Sequence, residues 1–206
     1  MGQFFLKAKK YIDQLDSPSV GQFIEIGTSR NLTDGSTKVI ASWAEQFAKT
    51  LYTVDVDFEN CKFAIDLNIV NVKVWHGSGE KFFETYPEHL GPISFLYLDN
   101  FDWDWHPERT EAFVIEQQRR YDELGLTMNN VNSQRAHLEQ MMSAMPNMAE
   151  QSIVVLDDTW YNKWWGHYSG KGGAVVPYLL NNGYTVLETE EQPVYGTIMG
   201  RGLNDI

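Results

Sequence analysis

The chain has 206 residues, 43% of them hydrophobic, and this length and composition are enough for one large domain. Cys61 is the single cysteine, which excludes a disulfide framework and a cysteine-based zinc site. Its formal net charge of −12 argues against a nucleic acid partner, because an acidic surface repels phosphates. Lysines interrupt any secretion signal in residues 1–10, and no apolar run approaches the roughly 18 residues that span a membrane. We therefore expect one cytoplasmic domain over residues 1–206, without a membrane segment.

Hydrophobic periodicity predicts strands and helices that alternate along most of the chain. In chain order these are a helix over 5–15, strand 23–26, helix 36–50, strand 51–56, strand 72–75, helix 80–85, strand 93–98, helices 107–124 and 133–145, strand 152–156, helix 173–182, and strands 184–187 and 194–199. The turn between the last two strands is too short for a parallel crossover, so that pair should be antiparallel. The pattern predicts an α/β fold with a mostly parallel sheet and helices on both faces.

Polar or glycine residues follow each of the five predicted parallel strands. They are Glu25 to Ser29, Asp55 and Asp57, His76 to Gly79, Asp99 and Asn100, and Asp157 and Asp158. Sheets of this kind bind ligands beyond the carboxyl ends of their strands. The sequence therefore predicts one polar crevice at this edge of the sheet.

The chemistry of the crevice fits a nucleoside that carries a positive charge. Gly27 lets the backbone approach a ligand closely, and the two oxygens of Asp55 can accept both hydroxyls of a ribose. Glu25 can hold an ammonium group directly or through water, with the capping of a backbone turn as its alternative role. For Asp57, a solvated loop acid is the favoured interpretation.

Two segments resemble motifs of the class I S-adenosylmethionine-dependent methyltransferases. Residues 23–29 and 35–37 are similar to the first motif, in the branch that has the pattern E-I-G-x-x-x-G-x-S-T, although residues 30–34 lengthen its loop. Residues 53–57 resemble the second motif, which carries the ribose-binding acid.

The resemblance extends over residues 20–200 and reaches the ends of two later strands. Residues 95–99 and 154–158 are similar to the fourth and fifth strands of the small-molecule O-methyltransferases. The family's fold is Rossmann-like, with seven strands and an antiparallel C-terminal strand inserted beside the fifth. This agrees with the terminal hairpin predicted above.

By this resemblance, the cofactor is S-adenosylmethionine. The residues implied to bind it are Glu25, Gly27, Thr28, Ser29, Ser36, Asp55, Gly77, Ser78 and Asp99. Ser78 would lie near the adenine, and Asp99 near the centre of methyl transfer.

A divalent metal is the further hypothesis for Asp99, Asp157 and Asp158. Three carboxylates in one crevice repel each other and call for a cation, and oxygen ligands suit Mg²⁺, Mn²⁺ or Ca²⁺. The metal-dependent O-methyltransferases have Asp, Asp and Asn at these positions. Acids that cap a turn are the equally weighted alternative for Asp157 and Asp158.

The same enzymes place a lysine base three residues after the first acid, where this chain has Asp102. If the chemistry is retained, another base must serve, and His106 and His137 are the candidate catalytic residues beside Asp99. Either histidine is equally well explained as a surface or core residue.

Residues 101–132 are predicted to be an insertion between the fourth strand and its helix. Two aromatic groups leave the sheet on its ligand side and would either wall a substrate pocket or form a local core. They are Phe101, Trp103 and Trp105 in the insertion, and Trp160, Tyr161, Trp164, Trp165 and Tyr168 after the fifth strand. Residues 170–173, with Lys171 among glycines, are interpreted as a flexible connector in preference to a hinge or an anion-binding nest.

The sequence thus predicts a methyltransferase that O-methylates a small molecule, with metal assistance left open. The expected partner is a small-molecule acceptor, not nucleic acid or a membrane. A catalytically silent protein that kept the fold for binding or assembly is the first alternative. A nucleotide-dependent oxidoreductase is the second, and the missing G-x-G-x-x-G pattern argues against it. The sequence does not predict an oligomeric state.

Overall fold

The computed structural model describes residues 4–29, 35–101, 110–191 and 194–203. Within these ranges the elements follow one another as α1 (Lys9–Ile12), β1 (Gln22–Ile26), α2 (Ser36–Glu45), β2 (Leu51–Asp55), α3 (Phe58–Asp66), β3 (Val72–His76), α4 (Gly79–Glu84), β4 (Ile93–Leu98), α5 (Glu111–Glu123), α6 (Asn130–Ala144), β5 (Met148–Asp157), β6 (Thr159–Asn162), β7 (His167–Gly170), α7 (Val175–Asn181), β8 (Thr185–Glu190) and β9 (Gly196–Arg201). Short 3₁₀ turns precede α1, β1 and β4 and follow α6.

Seven of the strands form one sheet in the order β3-β2-β1-β4-β5-β9-β8. Neighbouring strands from β3 to β5 are parallel, while β9 runs antiparallel to both β5 and β8. The central register aligns Ile26 with Val54 and Leu98, so the carboxyl ends of these strands are level. The predicted seven-stranded Rossmann-like sheet with its antiparallel C-terminal strand is confirmed.

The central strands are buried on both faces, because helices cover each side of the sheet. Ile24 and Leu96 belong to the apolar cluster that includes residues of α4, α6 and α7, whereas Phe23 and Phe95 belong to the cluster that includes residues of α1 and α2. Side chains alternate between the faces of a strand, so strands buried on both faces are apolar throughout. Each fully buried aliphatic or aromatic side chain contributes about 1.5–3 kcal/mol.

Several boundaries differ from the prediction. Helix α2 ends at Glu45 instead of about residue 50, because the chain turns through Ala48 with a positive φ of 54°. Helix α6 begins at Asn130 and is capped by Asn129, whose side chain accepts a hydrogen bond from the Asn132 N–H at 2.7 Å. Helix α3 and the two-stranded hairpin of β6 and β7 were not predicted.

The region predicted as an insertion contains α5, a polar helix on the surface in which Gln117 is buried. Two contacts attach it to the ligand-facing edge of the sheet. Arg120 donates to Asp57 Oδ2 at 2.7 Å, and the rings of Phe101 and Tyr121 meet at 5.0 Å. Asp57 also caps α3 through the Glu59 N–H, so it is a structural acid and not the solvated loop acid that the sequence favoured.

In the part of the chain that the structure describes, no helix is both long enough and apolar enough to cross a membrane.

Candidate functional site

Glu25, near the end of β1, is fully buried and surrounded by hydroxyl groups. Ser36 and Thr37 in the first turn of α2 donate to its two oxygens, and Thr53 on β2 donates at 2.7 Å. Burial raises the pKa of Glu25 to about 7, although the three hydroxyls each lower it. The partners are side-chain hydroxyls and not the backbone N–H groups of a turn, which was the alternative role considered for this acid.

Gly27 is required by the packing of the chain on itself. Its φ is +99°, and a Cβ there would lie 2.5 Å from the carbonyl oxygen of Asp99. The loop after β1 therefore touches the backbone that follows β4, and only glycine fits at this approach. This packing brings the first motif and Asp99 to the same point of the sheet edge.

Asp55 ends β2 with its carboxylate fixed by three donors. Its Oδ2 accepts from the Thr28 N–H at 2.9 Å and from Asn60 Nδ2 at 3.0 Å, and its Oδ1 accepts from the Asp57 N–H at 2.8 Å. Burial is the largest cause of a raised pKa at Asp55, which these hydrogen bonds oppose. A carboxylate offers about four accepting positions, so roughly one is left for a ligand.

The remaining residues of the predicted cofactor site lie along the same edge. The Ser29 N–H donates to Thr37 Oγ1 at 3.0 Å, which joins the loop after β1 to the start of α2. The Gly77 N–H donates to the carbonyl of Asp55 at 2.8 Å, and Ser78 caps α4. The structure thus brings the predicted cofactor-binding residues together around the ends of β1 to β4, whereas residues 30–34 of the first loop lie outside the described ranges.

Three acceptor atoms near this edge are buried without a hydrogen-bond partner among the described residues. They are Asn100 Oδ1 after β4, and His137 Nε2 and Gln140 Oε1 on α6. Gln140 packs against the start of α4, since a Cβ on Gly79 would lie 3.0 Å from its Cγ. Leaving a buried polar group unpaired costs about 1–3 kcal/mol, so a ligand that carries hydrogen-bond donors would recover this energy.

The three acids of the predicted metal site do converge, but around a cation of the chain. Lys171 Nζ lies 2.9 Å from Asp99 Oδ1 and 3.2 Å from Asp158 Oδ2. Its distance to Asp157 Oδ2 is 3.8 Å. Within the described residues, no group of acids, histidines and cysteines has the geometry to hold a metal ion. An ammonium group therefore lies among the three acids to which the sequence assigned a divalent cation, and the described residues do not support metal binding.

Asp157 is the least exposed acid of this cluster. Burial, followed by the charges of Asp99 and Asp158, raises its pKa well above the usual range, and Lys171 opposes the shift. Asp157 is therefore the acid of this cluster whose protonated form is favoured, because closely placed carboxylates do not all ionise.

Of the two candidate catalytic histidines, the structure describes only His137. His137 is fully buried on α6, and its Nδ1 lies 2.8 Å from the carbonyl of Ser133, which assigns the proton to Nδ1. Burial lowers the pKa of His137 to about 4, so the ring is neutral and a weak base near pH 7. His106 lies outside the described residues, as do Asp102, Trp103 and Trp105.

Backbone strain occurs at the ends of the two strands that carry the acid cluster. Asp158 has a φ of +44° and Phe101 a φ of +51°, an uncommon conformation for residues other than glycine. Strained residues that the surroundings hold in place are concentrated at functional sites. The two positions thus add to the case for this edge of the sheet as the site.

The aromatic residues after β5 form the hairpin of β6 and β7. Trp160 is buried and its ring lies 4.6 Å from that of Tyr195, while Trp164 and Trp165 at the tip are 91% and 72% exposed. Asn162 Oδ1 accepts from the backbone N–H groups of both tip residues and so shapes the turn. The base of the hairpin therefore forms a local core, whereas the exposed rings at its tip leave the pocket wall as a prediction.

Comparisons with known proteins agree with this geometry. No protein family model and no curated protein sequence matches the chain. Among solved structures, NovP, an O-methyltransferase, has a TM-score of 0.60 at 11% identity, with 95% of this chain and 78% of that one covered. The chain has the fold of a class I methyltransferase. SMU.1697c from Streptococcus mutans, described as a methyltransferase and solved with S-adenosylhomocysteine (SAH), has a TM-score of 0.53 at 13% identity over 93% and 96% of the two chains. An rRNA methylase from Streptococcus thermophilus has a TM-score of 0.54 at 11% identity over 99% of each chain.

Several residues of the site were not predicted from the sequence. Lys171 was assigned to a flexible connector, and the hydroxyls of Thr37 and Thr53 were not linked to Glu25. The available signal was a single lysine between glycines in an acidic protein, directly after a run of aromatic residues. Asn60, which orients Asp55, belongs to α3, a helix that the sequence did not reveal.

Proposed function

We propose that the protein is an S-adenosylmethionine-dependent methyltransferase that acts on a small-molecule acceptor. The observation that carries the proposal is Asp55, fixed at the end of β2 by the backbone of Thr28 from the loop after β1. This contact holds the Asp55 carboxylate beside the loop that begins with Gly27, at the strand ends where such sheets bind nucleosides, and so supports a role for Asp55 in binding the ribose.

The described residues fit this cofactor chemically. The adenine amino group, the ribose hydroxyls and the methionine ammonium are all donors, and the buried edge offers unpaired acceptors at Asn100, His137 and Gln140. Asp55 has one accepting position left for a ribose hydroxyl, so the second hydroxyl would need the side chain of Asn60 to move. Glu25, whose pKa is near neutrality, becomes a stronger partner for a positive group once it ionises.

S-adenosylmethionine, when bound, supplies a methyl group on a positively charged sulfur. It would give that methyl group to an oxygen of the acceptor, and the electron pair of the carbon–sulfur bond would stay on sulfur. The hydroxyl proton of the acceptor passes to the carboxylate of Asp99. That side chain is 31% exposed and is held by Lys171 and by the hydroxyl of Tyr97 at 3.1 Å.

A small acceptor is favoured over nucleic acid by the charge at the site. The acids Asp99, Asp157 and Asp158 outnumber the one lysine among them, and the whole chain carries a net charge of −12. A nucleic acid brought to this edge would meet repulsion at each phosphate. The exposed rings of Trp164 and Trp165, at the tip of the hairpin that follows β5, offer apolar surface that suits an organic acceptor.

Titration calorimetry tests the cofactor assignment. We expect SAH and S-adenosylmethionine to bind with a Kd near 1 μM, about −8 kcal/mol, and NAD to bind far more weakly. Asp55→Ala should weaken SAH at least about tenfold, since a charge-assisted hydrogen bond contributes roughly 1.5–3 kcal/mol. Asp55→Asn, which keeps the side-chain size, should weaken SAH in the same direction.

The matched control is Asp66→Asn, an equal change of charge at an exposed position at the end of α3. It should leave the affinity for SAH unchanged. Tighter binding of NAD than of either methionine derivative, or full affinity in a folded Asp55→Ala variant, would contradict the proposed function.

A further inference from the structure

The ammonium group of Lys171 is almost completely buried beneath the three carboxylates at the ends of β4 and β5. Its side chain is 3% exposed, compared with 31% for Asp99, 17% for Asp157 and 20% for Asp158. The positive charge is therefore on the protein side of the cluster, and the acids are on the solvent side.

The backbone fixes this arrangement as firmly as the side chains do. Asp158 and Lys171 stand at the two ends of the β6–β7 hairpin, and the Lys171 N–H donates to the carbonyl of Asp158 at 3.1 Å. A Cβ on Gly170 would lie 1.8 Å from that same carbonyl oxygen, so glycine is required directly before the lysine. The Gly172 N–H donates to Thr159 Oγ1 at 2.8 Å and closes the base of the hairpin. The pairing of β6 with β7 thus positions Lys171 next to the three acids.

A divalent metal does not fit beside this ammonium. Mg²⁺ and Ca²⁺ need several oxygen ligands at about 2.0–2.6 Å, whereas the space between Asp99 and Asp158 already holds Lys171 Nζ within 3.2 Å of both. An ammonium group has three donors and no lone pair, so it cannot join a coordination shell. Two cations at this spacing would also repel each other.

We propose that Lys171 takes the place of a divalent cation in this protein, as a fixed positive charge that holds Asp99 and Asp158 in position for the methyl acceptor. The inference rests on the proposed function for the role of the carboxylates, but the substitution of a lysine for a metal can be tested without it. Lys171 is a positioning residue, because Asp99 and not the ammonium receives the acceptor's proton. The class of reaction is accordingly methyl transfer that needs no added metal.

The proposal predicts a latent metal site that appears when the amino group is removed. Lys171→Ala removes the ammonium group from among the three carboxylates, and these oxygens suit Mn²⁺ or Ca²⁺. Mn²⁺ is the probe, and electron paramagnetic resonance of free Mn²⁺ measures its binding to chelator-treated protein. We expect the variant to bind Mn²⁺ with a Kd of about 10⁻⁴–10⁻³ M, as in weak oxygen-ligand sites, and the parent to bind none at millimolar metal. Added Ca²⁺ should displace the Mn²⁺ and should raise the Tm of the variant but not of the parent.

Three further variants complete the test. Lys171→Gln keeps most of the side-chain length and should also gain Mn²⁺ binding, whereas Lys171→Arg keeps the charge and should gain none. Lys163→Ala changes an exposed lysine at the tip of the same hairpin and should behave as the parent.

Three results would overturn the inference. One is Mn²⁺ binding by the parent as tight as that of Lys171→Ala, and another is a folded Lys171→Ala or Lys171→Gln variant that binds none. Failure of both variants to fold even in millimolar Ca²⁺ would also overturn it, because a metal should then replace the lost charge. SAH affinity is measured on the parent separately, so a parent that fails to bind SAH rejects the proposed function and leaves the Mn²⁺ result to decide the role of Lys171.

Discussion

The buried carboxyl group of Glu25 should make the stability of the protein depend on pH in an unusual direction. Its pKa is about 7 in the folded state, compared with a usual value of 4.5, because burial outweighs the three hydroxyl donors. At 1.36 kcal/mol for each pH unit, this difference corresponds to about 3 kcal/mol. The folded state binds the proton more tightly than the unfolded chain, so the contribution is fully present below pH 4.5 and is lost as the pH rises through about 7.

The variant Glu25→Gln isolates this contribution, because a glutamine has nearly the same shape and does not titrate. Urea unfolding of parent and variant between about pH 5 and 8 gives the difference in the free energy of unfolding at each pH, and the other titrating groups largely cancel. We expect the parent to lose about 3 kcal/mol relative to Glu25→Gln over this range. Glu45→Gln, the same change at an exposed position at the end of α2, should show no such trend.

A cofactor bound near Glu25 adds a second signature. A positive group beside the carboxyl favours its ionised form, so binding should release a proton and the affinity for SAH should rise between about pH 6 and 8 in the parent but not in Glu25→Gln. A flat difference in stability across the pH range would refute the reasoning about burial. A parent that gains stability over Glu25→Gln as the pH rises would show that the hydroxyl donors outweigh burial.

Two other substitutions test the packing around the site. Gly27→Ala should lower the free energy of unfolding by about 1–3 kcal/mol more than Gly91→Ala, as measured by thermal or urea unfolding. Both glycines have a positive φ, but only at Gly27 would a Cβ clash with backbone atoms. Equal losses in the two variants would show that the loop after β1 can move away from Asp99. Arg120→Met should lower global stability by no more than about 1 kcal/mol yet speed hydrogen exchange along α5. Arg119→Met, whose ion pairs stay within α5, is its control, and unchanged exchange in Arg120→Met would show that Asp57 does not anchor the helix.

Much of the sheet could be predicted because buried parallel strands produce an unmistakable pattern. Residues 93–98 and 152–156 are apolar except for Ser94 and Ser152, and each segment is followed by acids at the point where the strand leaves the core. The convergence of Asp99, Asp157 and Asp158 followed from the rule that the ends of neighbouring parallel strands meet. The position of Lys171 among these acids could not be predicted, because the local sequence does not show where Lys171 lies in the fold.

The missed elements lack a strong local pattern. Helix α3 exposes most of its surface, with Cys61 and Ala64 as its buried residues, so its apolar periodicity is weak. The β6–β7 hairpin was hidden because its aromatic residues also fit a pocket wall, and its identity depends on a pairing of Thr159 with Gly170 that spans the exposed tip. Both are stabilised by contacts with distant parts of the chain, which periodicity does not record.

The position of Lys171 shows why charge counting at a site needs the full topology. If only the strand ends are considered, the three acids need a cation to compensate their charge, and a bound metal is the simplest one. The β6–β7 hairpin provides a different cation. It begins directly after Asp158 and ends directly before Lys171, so its pairing brings the lysine back to the acids at the sheet edge. The backbone of that lysine is ordered by hydrogen bonds of the hairpin, so the cluster itself costs mainly the entropy of the lysine side chain. The tip with Trp164 and Trp165 belongs to the same hairpin, so one element carries both the exposed rings and the ammonium group beside Asp99.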